Sequence, residues 1–207
     1  LTAVSLHVER LDTSDAAIQR GMALIDDREK IRAAGFRFAR DAARFIARRA
    51  RLREIIALHT GEAAHRLSFS DGPHGKPMLT NGALQFSLSH SHGLIMVAIA
   101  PVEIGCDIER IDPGLEWQPL AERFFSPGER RALRDLPEAQ GRRAFFDCWS
   151  RKEAYVKALG LGLSYPLDAF DVSVGREAHL HAQTDWTLAD AAPEDGYAGA
   201  VVTRKAL

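Results

Sequence analysis

Asp107 and Glu109 stand two residues apart in the stretch IGCDIERI, and Glu153 and Lys157 stand four apart in CWSRKEAYVKALGLG. The period of a β-strand puts Asp107 and Glu109 on one face and Cys106 and Ile108 on the other. Neighbouring carboxylates repel unless water or a cation lies between them. Hard oxygen donors of this kind suit Mg²⁺, which keeps several waters and takes further ligands from phosphate. A bare D-x-E is nevertheless more often a polar strand face in water. Glu153 and Lys157, read alone, form a surface ion pair worth about 0.3–0.5 kcal/mol. The helical wheel moves them: Phe145, Cys148, Trp149, Tyr155, Val156 and Leu159 make a broad apolar arc, with Glu153 and Lys157 along its border. Lys152 falls inside that arc, where an ammonium must snorkel or find a buried partner.

Further polar groups lie upstream. SLSHSHGL offers His90 and His92 among Ser87, Ser89 and Ser91. A zinc site would need two more ligands, for which His74 or Cys106 are only loose candidates, so a phosphate contact or a structural hydrogen bond explains these residues better. The turn HGKP, His74-Gly75-Lys76, places a lysine where glycine lets a ligand approach the backbone. Residues 28–53 hold ten Lys and Arg against Glu29 and Asp41, in a chain whose net charge is −1. Such a block points to an anionic partner: phosphate, nucleic acid or an acidic protein surface. No nucleic-acid-binding motif accompanies it.

These residues need elements to carry them. VSLHVERLD alternates as a half-buried strand does, and helical stretches follow from about Asp26 and from about Ala39 to His59, the second stopped by Thr60-Gly61. RLSFS and the turn-rich DGPHGKP come next, and LQFSLSHSHGLIMVAIA reads as a hairpin turning near His92-Gly93. EIGCDIERI is a further strand. A short helix around LAERFF comes next, then one capped by Ser126, with Pro127 at its first position and Glu129 three residues after the cap. The Glu153 helix follows, and FDVSV, HLHAQ, WTLA and YAGAVVT read as closing strands. Strand, helices and strands thus occur twice, with no repeat evident residue by residue. The expectation is an α+β fold of two similar lobes related by a pseudo-twofold axis, residues 1–102 and 103–207, with the active site in the cleft between them. No apolar run approaches the roughly 20 residues of a bilayer span. The cysteines, Cys106 and Cys148, lack metal or disulfide spacing, and a cytoplasmic setting is expected.

The order of these signals is specific. F-x-F-x-R-D, G-K-P, S-x-S-H, G-x-D-I-E, F-F-S-x-x-E and W-x-x-K-E-A-x-x-K-x-x-G-x-G-L run from about Arg28 to Phe170. Together they resemble the 4′-phosphopantetheinyl transferases, in particular the two-lobed Sfp-type group. The resemblance implies transfer of the phosphopantetheine arm of coenzyme A to a serine of an apo acyl or peptidyl carrier protein, leaving adenosine 3′,5′-bisphosphate. It implies Mg²⁺ held by Asp107 and Glu109, with Glu153 as third ligand or as the base. Lys157 would contact the reacting phosphate and protonate the leaving group. Ser89 and His90 would touch the pyrophosphate, and His74, Gly75 and Lys76 the adenine and ribose. Arg40 would hold the 3′-phosphate, with Arg44 beside it. The same resemblance implies a monomer that binds neither nucleic acid nor membrane and serves fatty-acid, polyketide or nonribosomal-peptide synthesis. The alternative is a non-catalytic coenzyme A or carrier-binding module of the same fold.

Overall fold

The computed structural model describes residues 4–82, 84–175, 177–181 and 185–205. In chain order the elements are β1 (Ser5–Arg10), α1 (Asp15–Leu24), α2 (Asp27–Ala34), α3 (Ala39–Thr60), β2 (Phe69–Asp71), β3 (Pro77–Leu79), β4 (Gln85–Ser91) and β5 (Leu94–Ala100). Then come β6 (Ile104–Arg110), α4 (Trp117–Phe124), α5 (Pro127–Arg134), α6 (Glu138–Leu159), β7 (Trp186–Asp190) and β8 (Tyr197–Arg204). The principal sheets are antiparallel and equivalent in order, β1-β5-β4 and β6-β8-β7, and each is backed by one 22-residue helix, α3 or α6. This is the expected two-lobed α+β arrangement.

Two expectations need correction. Helix α1, capped by Ser14, was not anticipated, because its one buried residue is Gly21 and its apolar periodicity is weak. FDVSV and HLHAQ do not form strands. They meet at the isolated bridge of Val172 with Leu180, where the His179 N–H also donates to Ser173 Oγ at 2.9 Å, and Ala182 and Gln183 lie outside the described residues.

The duplication, invisible in composition, is explicit in the packing. Helices α2 and α5 both begin with a capping box, Asp26 with Glu29 and Ser126 with Glu129. In each box the glutamate also binds a fully buried cation on the long helix behind it. Arg53 Nε donates to Glu29 at 2.8 Å, and Lys152 Nζ donates to Glu129 at 2.6 Å. Each cation then binds a carbonyl of the segment after its helix, Leu67 or Phe170, at 2.7 Å. This is the partner Lys152 required. Both long helices end on a left-handed glycine, Gly61 or Gly160.

The lobes meet through β5, buried on both faces. Ile95, Val97 and Ile99 pack on Leu52, Ile55 and Ile56 of α3, while Met96 and Ala98 pack on Ile104, Cys106 and Ile108 of β6. At one edge of the same sheet, β4 lies beside β6 and serine hydroxyls replace a backbone ladder. Ser87 Oγ accepts from the Cys106 N–H and Ser91 Oγ from the Arg110 N–H, each at 3.0 Å.

Candidate active site

The even residues of β6 enter the interlobe core, so Gly105, Asp107 and Glu109 face α6. A side chain at position 105 would collide with the backbone of Ala154 and Ala158 on that helix. Glycine there lets α6 lie directly on β6, which fixes how far Glu153 and Lys157 stand from the Asp-x-Glu pair. Lys157 Nζ donates to Asp107 Oδ1 at 2.6 Å and to Ser89 Oγ at 3.0 Å. Ser89 Oγ donates to the same Asp107 oxygen at 2.8 Å, and Ser91 Oγ to Glu109 at 3.1 Å. One strand from each lobe and one helix thus converge.

The electrostatics of this junction are unbalanced. Burial, then the neighbouring Asp107 charge, pushes the Glu109 carboxyl up to about 7. The same two causes raise Glu153. Burial pulls Lys157 down, but Asp107, Cys106 and Glu153 together outweigh it and the net shift is upward. Glu153, half-buried, makes no hydrogen bond among the described residues, so its carboxylate is free to accept one. Asp107 Oδ2 is buried and has no hydrogen-bond partner there either. Among the described residues no three His, Cys, Asp or Glu side chains converge as a ready-made metal cage. An orphaned buried carboxylate oxygen beside a second, under-neutralised carboxylate still fits a hard divalent cation that completes its shell from water and phosphate.

Anion-binding groups border the junction on the amino-terminal side. A cavity of about 550 Å³ is lined by Arg44, Arg48, His90, Ser91 and His92. Desolvation, with Arg48 and Lys157 nearby, lowers His90 to about 4, so it is neutral at pH 7. Arg48 is half-buried without an ion pair among the described residues, and burial together with Arg32 and Arg44 lowers its pKa. Asp41, which lines the same cavity, offsets this only in part, so the guanidinium can take a further anion. Helical spacing sets Arg48 on one face with Arg40, Arg44 and Arg51, but the motif resemblance did not single it out; its place in the cavity lining adds it as a candidate. Much of the remaining basic block is neutralised within the chain: Arg51 grips Glu9 through two bonds of 2.6 and 2.7 Å, Arg49 pairs with Glu29, and Arg53 is buried.

The other expected contacts are dispersed. Arg40 is 75% exposed beside Asp41, outside that cavity. Gly75 lines a second cavity, of about 190 Å³, with Arg28, Arg32 and Arg49. His74 Nδ1 lies 3.2 Å from Ser164 Oγ, and Lys76 Nζ donates to the Ile104 carbonyl at 2.8 Å, so this turn braces the loop after α6 against β6. His92, at φ 44, forms with Gly93, at φ 88, the tight turn between β4 and β5 that the pattern around His92-Gly93 predicts.

This is a cleft for group transfer from an anionic donor, and the chain belongs to the 4′-phosphopantetheinyl transferase superfamily. The superfamily model matches residues 103–202, and the model of the 4′-phosphopantetheinyl transferase amino-terminal region matches residues 11–102. The 4′-phosphopantetheinyl transferase HetI of Nostoc sp. is 34% identical over 97% of this chain and 88% of its own. A 4′-phosphopantetheinyl transferase of Bacillus subtilis is 33% identical over 78% of this chain and 71% of its own. The 4′-phosphopantetheinyl transferase Sfp of Bacillus subtilis strain 168 is 30% identical over 78% and 72%.

Proposed function

We propose that this enzyme moves 4′-phosphopantetheine from coenzyme A to a serine hydroxyl of an apo carrier protein, releasing adenosine 3′,5′-bisphosphate. The observation that carries the reading is Asp107: one oxygen holds Lys157 and Ser89, while the other is buried and unpartnered. Residues 1–102 supply the coenzyme contacts, through Arg44, Arg48 and His90. Residues 103–207 supply the acid–base pair and the carboxylates.

Asp107 and Glu109 would hold Mg²⁺, with Glu153 at their side; the ion would neutralise charge on the pyrophosphate. The chain's own groups do the rest. Glu153 takes the proton from the serine hydroxyl, its raised pKa bringing it nearer the operating pH. Lys157, kept cationic by Asp107, stabilises the departing phosphate oxygen and gives it a proton. Ser89 holds Lys157 and Asp107 in register, and His90 borders the path of the pyrophosphate. Because one chain supplies both sides of the cleft, we read the enzyme as a monomer. No helix of the described residues is long and apolar enough to cross a membrane, and we place the protein in the cytoplasm.

Incubating the protein with coenzyme A, Mg²⁺ and a panel of apo carriers tests this reading. Intact-mass spectra should show one carrier heavier by a single phosphopantetheine. Coenzyme A binding with every carrier mass unchanged would leave only a binding module, and the carrier that reacts would identify the pathway.

A further inference from the structure

The equivalence of the two lobes extends to the carboxylates of the candidate site. Arg10 pairs with Leu94 at the start of β5, and Arg110 pairs with Tyr197 at the start of β8. Counting back along each ladder sets His7-Val8-Glu9-Arg10 on Asp107-Ile108-Glu109-Arg110. Helices α3 and α6 begin at Ala39 and Glu138, and the same count along each sets Arg51 and Glu54 on Ser150 and Glu153. The amino-terminal lobe therefore holds a second carboxylate pair, Glu9 and Glu54, at the places of Glu109 and Glu153.

What joins the two carboxylates differs between the lobes. Arg51 donates to both oxygens of Glu9, at 2.6 and 2.7 Å, and to Glu54 at 2.9 Å. A planar guanidinium that grips one carboxylate through two bonds and a second through another fixes both. In the carboxyl-terminal lobe the residue at that place is Ser150, whose buried hydroxyl has no partner among the described residues. The equivalent glutamates respond in opposite directions. Hydrogen bonding from Arg51 lowers Glu9, whereas burial and then Asp107 push Glu109 up to about 7. A cation present in one lobe and absent from the other has this effect.

The neighbouring positions have changed to suit. Gly105, Ala154 and Ala158 let α6 lie on β6, but Ser5, Ile55 and His59 occupy those places in the first lobe, where α3 does not approach β1 so closely. That spacing admits an arginine side chain. His7 replaces Asp107, and its Nε2 lies 3.0 Å from His59 Nε2, so an imidazole pair stands in for the Asp107–Lys157 contact. Leu58, 75% exposed, takes the place of Lys157. The cluster has kept the acids and lost the lysine.

We propose that His7, Glu9, Glu54 and His59 form a second copy of the metal site in which the Arg51 guanidinium stands in the cation's place. The enzyme then holds its divalent ion in the carboxyl-terminal lobe alone, and the amino-terminal lobe is closed by a cation of its own. The proposal rests on the reading of Asp107 and Glu109 as metal ligands. With Arg51 among them, the acids and histidines of the first lobe form no metal cage among the described residues. Without it, two carboxylates and two imidazoles are left around one vacated position, a donor set that Mn²⁺ can use.

Mn²⁺ binding to the whole protein, followed by titration calorimetry and by urea midpoints, tests this. Wild type should bind one Mn²⁺ per chain. Arg51→Ser, which copies position 150, should unfold at lower urea, because Glu9 and Glu54 lose their shared cation. It should also bind a second Mn²⁺ that returns the midpoint toward that of wild type. Adding Glu9→Gln and Glu54→Gln should abolish the second ion and restore most of the metal-free midpoint. Asp107→Asn should instead abolish the first ion and leave the second. If Arg51→Ser does not fold unaided, refolding with and without Mn²⁺ gives the same reading: recovery only with the ion supports the proposal, and recovery with neither overturns it. Two ions in wild type, or one in Arg51→Ser with a midpoint that Mn²⁺ leaves unchanged, would also overturn it. Wild type that binds no Mn²⁺ while Arg51→Ser binds one would strike the metal from the transfer reading and leave Arg51 as the cation of its lobe.

Discussion

Arg53 and Lys152 are structural equivalents. Each stands fourteen residues after the start of a 22-residue helix, is fully buried, and binds the capping-box glutamate of the short helix before it. A cation taken out of water costs several kcal/mol unless it is paired and hydrogen-bonded, and each lobe meets that cost with a capping-box glutamate and a backbone carbonyl, to which Arg53 adds Asp26.

Removing one partner should therefore hurt far more than removing both. Lys152→Met leaves Glu129 buried without its cation and should destabilise the protein by about 3–5 kcal/mol in urea unfolding. The double variant Glu129→Gln with Lys152→Met should recover much of that loss. Equal losses in the single and double variants would mean that packing, not charge pairing, sets the value of the site.

Gly105→Ala tests how α6 is seated. The added methyl meets the backbone of Ala154 and Ala158, which cannot rotate away as a side chain can. The helix must shift, at a cost of about 1–3 kcal/mol or more. Transfer activity should fall even where the variant remains folded, because Glu153 and Lys157 move with α6. Normal turnover would show that the Asp107–Lys157 geometry tolerates displacement.

Glu153→Gln keeps the size of the side chain and removes its basicity. Transfer should drop about 10²–10⁴-fold, with the unfolding midpoint and coenzyme A affinity little changed. A parallel loss of coenzyme affinity would indicate instead that Glu153 serves mainly through the metal.

Arg48→Ala should raise KM for coenzyme A by about 10–100-fold, the value of a hydrogen bond to a charged group, and should flatten the dependence of that KM on salt. Stability should hold or improve, since the guanidinium is half-buried without a partner among the described residues. An Arg40→Ala variant, changing a group 75% exposed, gives the comparison that decides which arginine holds phosphate.

Lys76 gives a pH test. Burial lowers its pKa from the usual 10.5 to about 8, so between those values the unfolded chain binds more protons than the folded one. Stability should rise with pH through that window, and the full cost should be present below about 8. Lys76→Met should lose this rise when urea midpoints are compared from pH 7.5 to 10. Curves that stay parallel would place the buried ammonium in a better-solvated setting.

Local patterns were legible in the sequence because local physics makes them. Alternation placed Asp107 and Glu109 on one face of a strand, the wheel put Glu153 and Lys157 at the border of a buried arc, and Ser126 with Glu129 announced a helix start. The motif order then pointed to the transferase family, which the comparisons show. The partners across space were not legible. Nothing near position 152 says that Glu129 will meet Lys152, and nothing near position 105 says that a helix backbone will lie against it. The repeat of Asp26, Glu29 and Arg53 in Ser126, Glu129 and Lys152 is hidden by changes of residue type that keep the hydrogen-bonding role. Which of ten basic residues would face a cavity was equally undecided, since Arg49, Arg51 and Arg53 are neutralised by acids that only folding brings near. Secondary structure follows from neighbours in the chain, whereas charge pairing and close approach depend on residues far apart in the chain that folding brings together.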